Sequence, residues 1–217
     1  MNEVSVKIAD INKLHEISET VLTEAKRLGA SQSEVGIGVD KGFSVSVREG
    51  DAETVEYHAD KSVDITVYFG QRRGTAGVSD FRLDAVRSAV EAACHIAKFT
   101  DVDTAAGLPE KDEMGFHYPT LKLDYPWDIS VKKAIDLAID CEQIALSVDK
   151  RLIGAEPVNV TTMDMLHYYA NSHGFVGFYP FTRHELSCVM IAKQNDEMQR
   201  NYSYTVGVDP ARLELVD

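Results

Sequence analysis

No run of about 18 apolar residues occurs in the 217-residue sequence, so nothing in it reads as a membrane-spanning helix. The start, MNEVSVKIAD, has no basic segment followed by an apolar one, so a secretory leader is not expected. Lysine and arginine form no run. They number 22 against 35 acidic residues, which sets the net charge at −13. Such an acidic surface repels phosphate backbones, and direct nucleic-acid binding is not expected. Cysteine is scarce as well. Cys94, Cys141 and Cys188 make no CxxC pair, and an odd, widely spaced set is no disulfide framework. They read as buried free thiols in a reducing compartment, and a cytoplasmic location is expected.

The usual catalytic patterns are missing too. His15-Glu16 has no second histidine one helical turn on, so no helical zinc motif forms. His184-Glu185 is followed by Cys188, but in a strand residues four apart stand about 13 Å apart, too far for one metal. No two of the seven histidines lie closer than the six-residue interval between His167 and His173. Gly70-Gln71-Arg72-Arg73-Gly74 lacks the Lys-Ser or Lys-Thr pair of a phosphate loop and reads as a basic hairpin tip. Asn171-Ser172-His173-Gly174 sets a serine beside a histidine. Neighbouring turn residues point apart, however, and no nearby carboxylate orients the ring. These four residues are assigned as a structural turn, since Asn and Gly tolerate positive φ. No catalytic and no metal-binding residue is assigned, and no binding residue can be named. His58, His95, His117 and His167 are scattered and read as hydrogen-bonded structural residues.

What is present is periodicity. Ile11, Leu14, Ile17, Val21, Ala25 and Leu28 recur at helical spacing, and Gly29 stands where the helix should stop. The period then changes to two. Val35–Val39, Phe43–Val47, Val55–Tyr57 and Val63–Phe69 read as four short strands, with turns at Gly50-Asp51, Asp60-Lys61 and Gly70–Gly74. A second helix follows through Leu83, Val86, Val90, Ala93 and Ile96, with Asp80 as its expected cap. Residues 100–127 carry three prolines and no period, and read as a connector. Ser130 then caps a helix running to about Asp149. The remainder is strand-like: 158–170, 175–181, 186–192 and 198–206, with a second turn at Gln194-Asn195-Asp196. The aromatic set Tyr168, Tyr169, Phe175, Phe178, Tyr179 and Phe181 reads as mostly core, with one of Tyr168 and Tyr169 facing outward. The expected class is α+β, in two lobes at residues 1–105 and 106–217, each an antiparallel sheet packed by helices.

Several runs, in their order and spacing, resemble the TldD/PmbA family, and within it the PmbA or TldE type of subunit. They are Phe43-Ser-Val-Ser-Val-Arg-Glu-Gly50, Asp64-Ile-Thr-Val-Tyr68, Arg73-Gly-Thr-Ala76 and Ala97-Lys-Phe-Thr100. Further on come Asp149-Lys-Arg151, Asn171-Ser-His-Gly174, Thr182-Arg-His184 and Met198-Gln-Arg-Asn-Tyr-Ser-Tyr-Thr205. The resemblance covers the N-terminal half of the family's length and leaves its C-terminal domain outside this sequence. It implies a cytoplasmic heterodimer with a TldD-like subunit, forming a zinc peptidase for unfolded peptides with roles in microcin leader maturation and antitoxin degradation. The family's H-E-x-x-x-H zinc motif belongs to the TldD-like partner, so zinc is expected there and no cofactor in this chain. The family label "modulator of DNA gyrase" implies a second reading, a non-catalytic protein-binding module.

Overall fold

The computed structural model describes residues 9–213. Helix α1, Ile11–Arg27, buries Leu14, Ile17, Val21 and Ala25 on one stripe, as the spacing predicts. The Asp10 carboxylate accepts from Asn12 N at 3.0 Å, and Lys26 and Arg27 lie at the negative end of the helix dipole. Gly29 ends the helix with φ +93°, a conformation a Cβ would strain. Then come β1 (Gln32–Arg48), β2 (Asp51–Phe69), β3 (Arg72–Val78), α2 (Leu83–Phe99), α3 (Val131–Ser147), β4 (Leu152–Asn171), β5 (Val176–Gln194) and β6 (Glu197–Gly207). Between Thr100 and Trp127 the only element is the single 3-10 turn Lys111–Glu113.

The mixed α+β class is as expected, but the sheet is not divided. Six strands form one sheet in the order β3-β2-β1-β4-β5-β6. The expectation of a separate sheet in each half fails because the strands are longer than their apolar runs. β1, β2, β4 and β5 are 17, 19, 20 and 19 residues long. Asp60-Lys61, expected to be a turn, lies inside β2. Neither residue has positive φ, and exposed polar side chains sit on a strand face at no cost in burial. The turn expected at Gly50-Asp51 falls one residue earlier, at Glu49-Gly50, and Asp51 already opens β2: φ is +53° and +78°, the pair of left-handed residues that matches strand twist in a two-residue hairpin. β2 and β3 pair antiparallel from Val63↔Val78 to Phe69↔Arg72, and β5 and β6 from His184↔Gly207 to Gln194↔Glu197.

Contacts divide the chain into two compact units. One holds the described residues up to Asp40 with Asp60–Leu121 and Leu166–Pro180; the other holds Lys41–Ala59, Lys122–Met165 and the described residues from Phe181 on. Each long strand gives one stretch to each unit. The first unit's core is built from α1, α2 and the strand residues Val35, Ile37, Val63, Ile65, Val67 and Leu166. The second unit's core joins Ala134 and Ala138 of α3 to Val45, Val47, Val158, Val160, Leu186 and Cys188.

Two caps differ in detail. Ser130 Oγ accepts from Lys133 N at 3.3 Å, as expected for an N-cap. Asp80 does not cap α2. Its carboxylate accepts from Arg82 N at 2.9 Å in a turn just ahead of the helix, and the cap position is Arg82, whose side chain makes no capping bond. Buried Glu142 of α3 was not anticipated from sequence. Its two carboxylate oxygens accept from Glu49 N at 2.8 Å and Gly50 N at 2.7 Å, which ties the β1–β2 turn to the helix within the second unit.

Candidate functional site

The turn from Asn171 to Gly174 is organised by Asn171. This buried residue donates its N–H to Phe175 O at 3.0 Å, while its Oδ1 accepts from His173 N at 3.1 Å and Phe175 N at 3.3 Å. Gly174 holds φ +90° and donates to Asn171 O at 3.0 Å. Ser172 is spent on backbone: its N–H donates to Ser33 O at 2.8 Å and its Oγ accepts from Ser33 N at 3.0 Å. His173 Nε2 lies 3.4 Å from Gln32 Nε2, and Gln32 Oε1 accepts from Leu108 N at 2.9 Å. The Ser172 hydroxyl and the His173 ring therefore serve different partners. Open space surrounds a Cβ at Gly174, so Gly174→Val is expected to lose only the backbone contribution, about 1 kcal/mol or slightly more. A thermal melt checks this, and an unchanged midpoint would contradict it.

Alternation separates the adjacent tyrosines. Tyr168 enters the first unit's core, where its hydroxyl meets Ser18 Oγ at 3.2 Å and His15 Nδ1 at 3.1 Å. Tyr169 faces the other way and donates to Glu34 Oε2 at 2.7 Å, while Tyr68 donates to Glu34 Oε1 at 2.7 Å. Asn171 Nδ2 donates to the Tyr169 hydroxyl at 3.2 Å. Burial, then the Glu34 carboxylate, push the Tyr169 phenol up to about 12 and Tyr68 upward as well. A phenol whose folded value is raised contributes stability that is complete below its unfolded value near 10.0 and is lost as pH climbs toward about 12. Denaturant midpoints are therefore expected to fall over that window, and to fall less in Tyr169→Phe.

The remaining sequence candidates are scattered. Glu16 pairs with Lys13 at 2.6 Å, His58 with Ser44 Oγ at 3.2 Å and His167 with the Tyr179 hydroxyl at 3.1 Å. His95 packs its ring at 4.9 Å from Phe99. Arg72 of the basic tip reaches the Thr100 carbonyl. His184 is fully buried. Its Nε2 faces Tyr125 O at 2.9 Å, and a carbonyl only accepts, so Nε2 carries the proton. In the neutral ring Nδ1 then accepts from Thr162 Oγ1 at 2.9 Å. Both nitrogens are thus committed. Among the described residues no group of three His, Cys, Asp or Glu side chains is placed to hold a metal ion.

Two features of the second unit were not visible in the residue pattern. The first is a cavity of about 450 Å³ lined by α3, β5 and β6, including Leu137, Cys141, Ile144, Leu186, Cys188 and Met190. Interaction with the Cys188 thiol holds Cys141 below the usual thiol range against the opposing effect of burial. The same interaction, reinforced by burial, pushes Cys188 up. The second feature is β6, the last strand of the sheet, with one backbone edge unpaired by any strand among the described residues. Its register sets Asn201, Ser203 and Thr205 opposite Met190, Cys188 and Leu186. Met198, Tyr202, Tyr204 and Val206 therefore occupy the other face. Tyr202 and Tyr204 are 63% and 59% exposed and stack at 6.2 Å. Arg200 interrupts this apolar stripe and is fixed to Glu156 by two bonds of 2.6 and 2.7 Å. The clue available in sequence was the alternation Met198-x-x-x-Tyr202-x-Tyr204-x-Val206, which assigns a shared face without saying whether it is covered.

Sequence comparison sorts these features into a family. Residues 33–97 match the PmbA/TldA metallopeptidase domain 1, and residues 124–217 match the PmbA/TldA metallopeptidase central domain. The metalloprotease PmbA of Escherichia coli O157:H7 is 36% identical over 203 residues, which cover 92% of this chain and 45% of that protein. The chain belongs to the PmbA/TldD family. The metalloprotease PmbA homolog of Haemophilus influenzae is also 36% identical, over 213 residues covering 98% of this chain and 47% of the relative. The chain thus spans about half the length of the curated PmbA relatives it matches. In fold it resembles a candidate modulator of DNA gyrase from Bacteroides thetaiotaomicron, with a TM-score of 0.84, 16% identity and coverage of 95% of this chain and 47% of the other. TldE from Thermococcus kodakarensis gives a TM-score of 0.74 at 15% identity, covering 91% and 44%.

Proposed function

We propose that this chain is the N-terminal part of a PmbA/TldE-like subunit of a TldD/TldE-type zinc metallopeptidase complex in the cytoplasm. In this reading it is non-catalytic, the zinc sits in a TldD-like partner subunit, and the shared substrate is an unfolded peptide. Microcin leader maturation and antitoxin degradation are the tasks such a complex serves. The observation that carries the reading is the free edge of β6 beside an exposed aromatic stripe. A row of backbone N–H and C=O groups accepts an extended chain of any sequence, which suits a substrate defined by being unfolded. Supporting the non-catalytic role, His184 has both ring nitrogens engaged. Residues 1–105 and 106–217 are proposed as the family's two successive modules here; the profile matches ending at 97 and resuming at 124 support that division.

The test is co-expression with a TldD-like subunit, followed by zinc analysis and cleavage of an unfolded peptide. Co-purification and chelator-sensitive cleavage with the partner are expected, and neither bound zinc nor cleavage without it. Zinc at one per chain, or partner-free cleavage lost on mutating a histidine here, would overturn the assignment. The second reading, a protein-binding module linked to DNA gyrase modulation, is favoured by the fold likeness to a candidate gyrase modulator. Retention of a gyrase-linked factor in the absence of any TldD-like protein would select it.

A further inference from the structure

Three sulfur atoms converge on the cavity of the second unit. Cys188 and Met190 are two apart on β5, so strand alternation sets both toward α3, and the Cys188 Sγ lies 3.5 Å from the Met190 Sδ. Cys141 comes from α3 and lines the same cavity, near enough to the Cys188 thiol for each to shift the other's titration. Cys188 is 5% exposed in the body of the protein, yet the cavity gives its sulfur a path to solvent.

The donor set decides what fits. A structural zinc takes four nitrogen, sulfur or carboxylate ligands, and a catalytic zinc takes three plus water. No third His, Cys, Asp or Glu side chain joins the two thiols among the described residues. A hard cation would need oxygen donors where this site presents sulfur. Two thiols and a thioether, in an apolar cavity, match a soft cation satisfied by three sulfurs.

We propose that Cys141, Cys188 and Met190 form a three-coordinate site for a soft monovalent cation of the copper(I) class. On binding, the S–H bonds of Cys141 and Cys188 break, their protons pass to solvent, and two copper–thiolate bonds form. The Met190 sulfur donates a lone pair as the third ligand. No atom changes oxidation state. The cation offsets one of the two thiolate charges, and the remaining negative charge faces the solvent-open side of the cavity. This site shares Tyr202 of β6 with the peptide-binding reading but does not depend on it, and its test needs neither a partner subunit nor a peptide.

The experiment titrates the fully reduced protein with copper(I) under anaerobic conditions against a chromophoric copper(I) chelator. One copper(I) per chain is expected, with a thiolate-to-copper charge-transfer band in the ultraviolet. Cys141→Ser and Cys188→Ser are each expected to weaken binding about 100-fold and Met190→Leu about tenfold, the scale on which ligand-shell changes act. Cys94→Ser changes a thiol in the other unit's core and is expected to leave binding unaltered. Met190→Leu conserves volume, so it reads the sulfur's contribution even where a serine variant folds poorly. Absence of stoichiometric copper, equal loss in Cys94→Ser, or unchanged affinity in Met190→Leu would overturn the site. So would rapid closure of Cys141 and Cys188 to a disulfide with no copper retained.

Discussion

Alanine at Gly74 is expected to lower the stability of the protein by about 3 kcal/mol or more, the upper range for forcing atoms into a packed core. Gly74 is buried on β3, opposite Val67 of β2. A Cβ there would stand 2.1 Å from Ala93 O, 2.5 Å from Ala97 N and 2.9 Å from Ala97 Cβ. Two of these atoms are helix backbone, which no rotamer change can move. The only relief is to lift α2, and that uncovers Val86 and Val90 as well. The small residues Ala93 and Ala97 on the helix and Gly74 on the strand are thus one device for close approach. Urea unfolding checks the effect, with Gly77→Ala as comparator, since its Cβ would meet the Asp64 side chain at 3.1 Å, which can swing aside, and the Val63 carbonyl at an ordinary 3.8 Å. A midpoint shift for Gly74→Ala no larger than for Gly77→Ala would show that α2 is not seated on β3 in this way.

Gly74 also shows where sequence reading stops. In the residue pattern it was the end of a basic turn, because Gly70-Gln71-Arg72-Arg73-Gly74 has turn composition throughout. Only Gly70, with φ +61°, uses that freedom; Gly74 sits inside a strand and is there for want of a side chain. The helices were legible because their apolar stripe repeats over several turns, and Ala25 and Ala93 fall on the predicted faces. Strand existence was legible for the same reason, but strand length was not. Asp60-Lys61 and Thr182-Arg183 interrupt the apolar alternation, yet each lies within a continuous strand. Polarity marks a change in what a strand face touches, and only φ or pairing says whether the chain turns. The cavity and the convergence of Cys141 with Cys188 were invisible because a helix and a strand 47 positions apart in sequence build them. No local period encodes that meeting.

His184, read from sequence as half of a failed metal pair, is expected to be among the costliest side chains to remove. His184→Ala takes a fully buried ring out of the second unit. It leaves a void beside Trp127, whose ring meets the imidazole edge-on at 5.5 Å and 78°. It also strands two polar partners, the Tyr125 carbonyl and the Thr162 hydroxyl, each bonded at 2.9 Å in the native protein. Void and lost bonds add, and the expected loss is about 3–5 kcal/mol. Tyr125 N is further held by Thr182 Oγ1 at 3.1 Å, and that hydroxyl donates to Val208 O at 2.6 Å, so loosening at Tyr125 spreads to the β5 strand and the segment after β6. His184→Phe separates the two contributions. It fills most of the space but makes neither bond, and a loss of about 2 kcal/mol is expected from the unsatisfied carbonyl and hydroxyl alone. A chemical-denaturation series of the two variants reads both quantities. Were the imidazole a metal ligand instead, the variants would lose bound metal at near-native stability. A denaturation midpoint within experimental scatter of wild type for His184→Ala would remove the structural assignment of this residue.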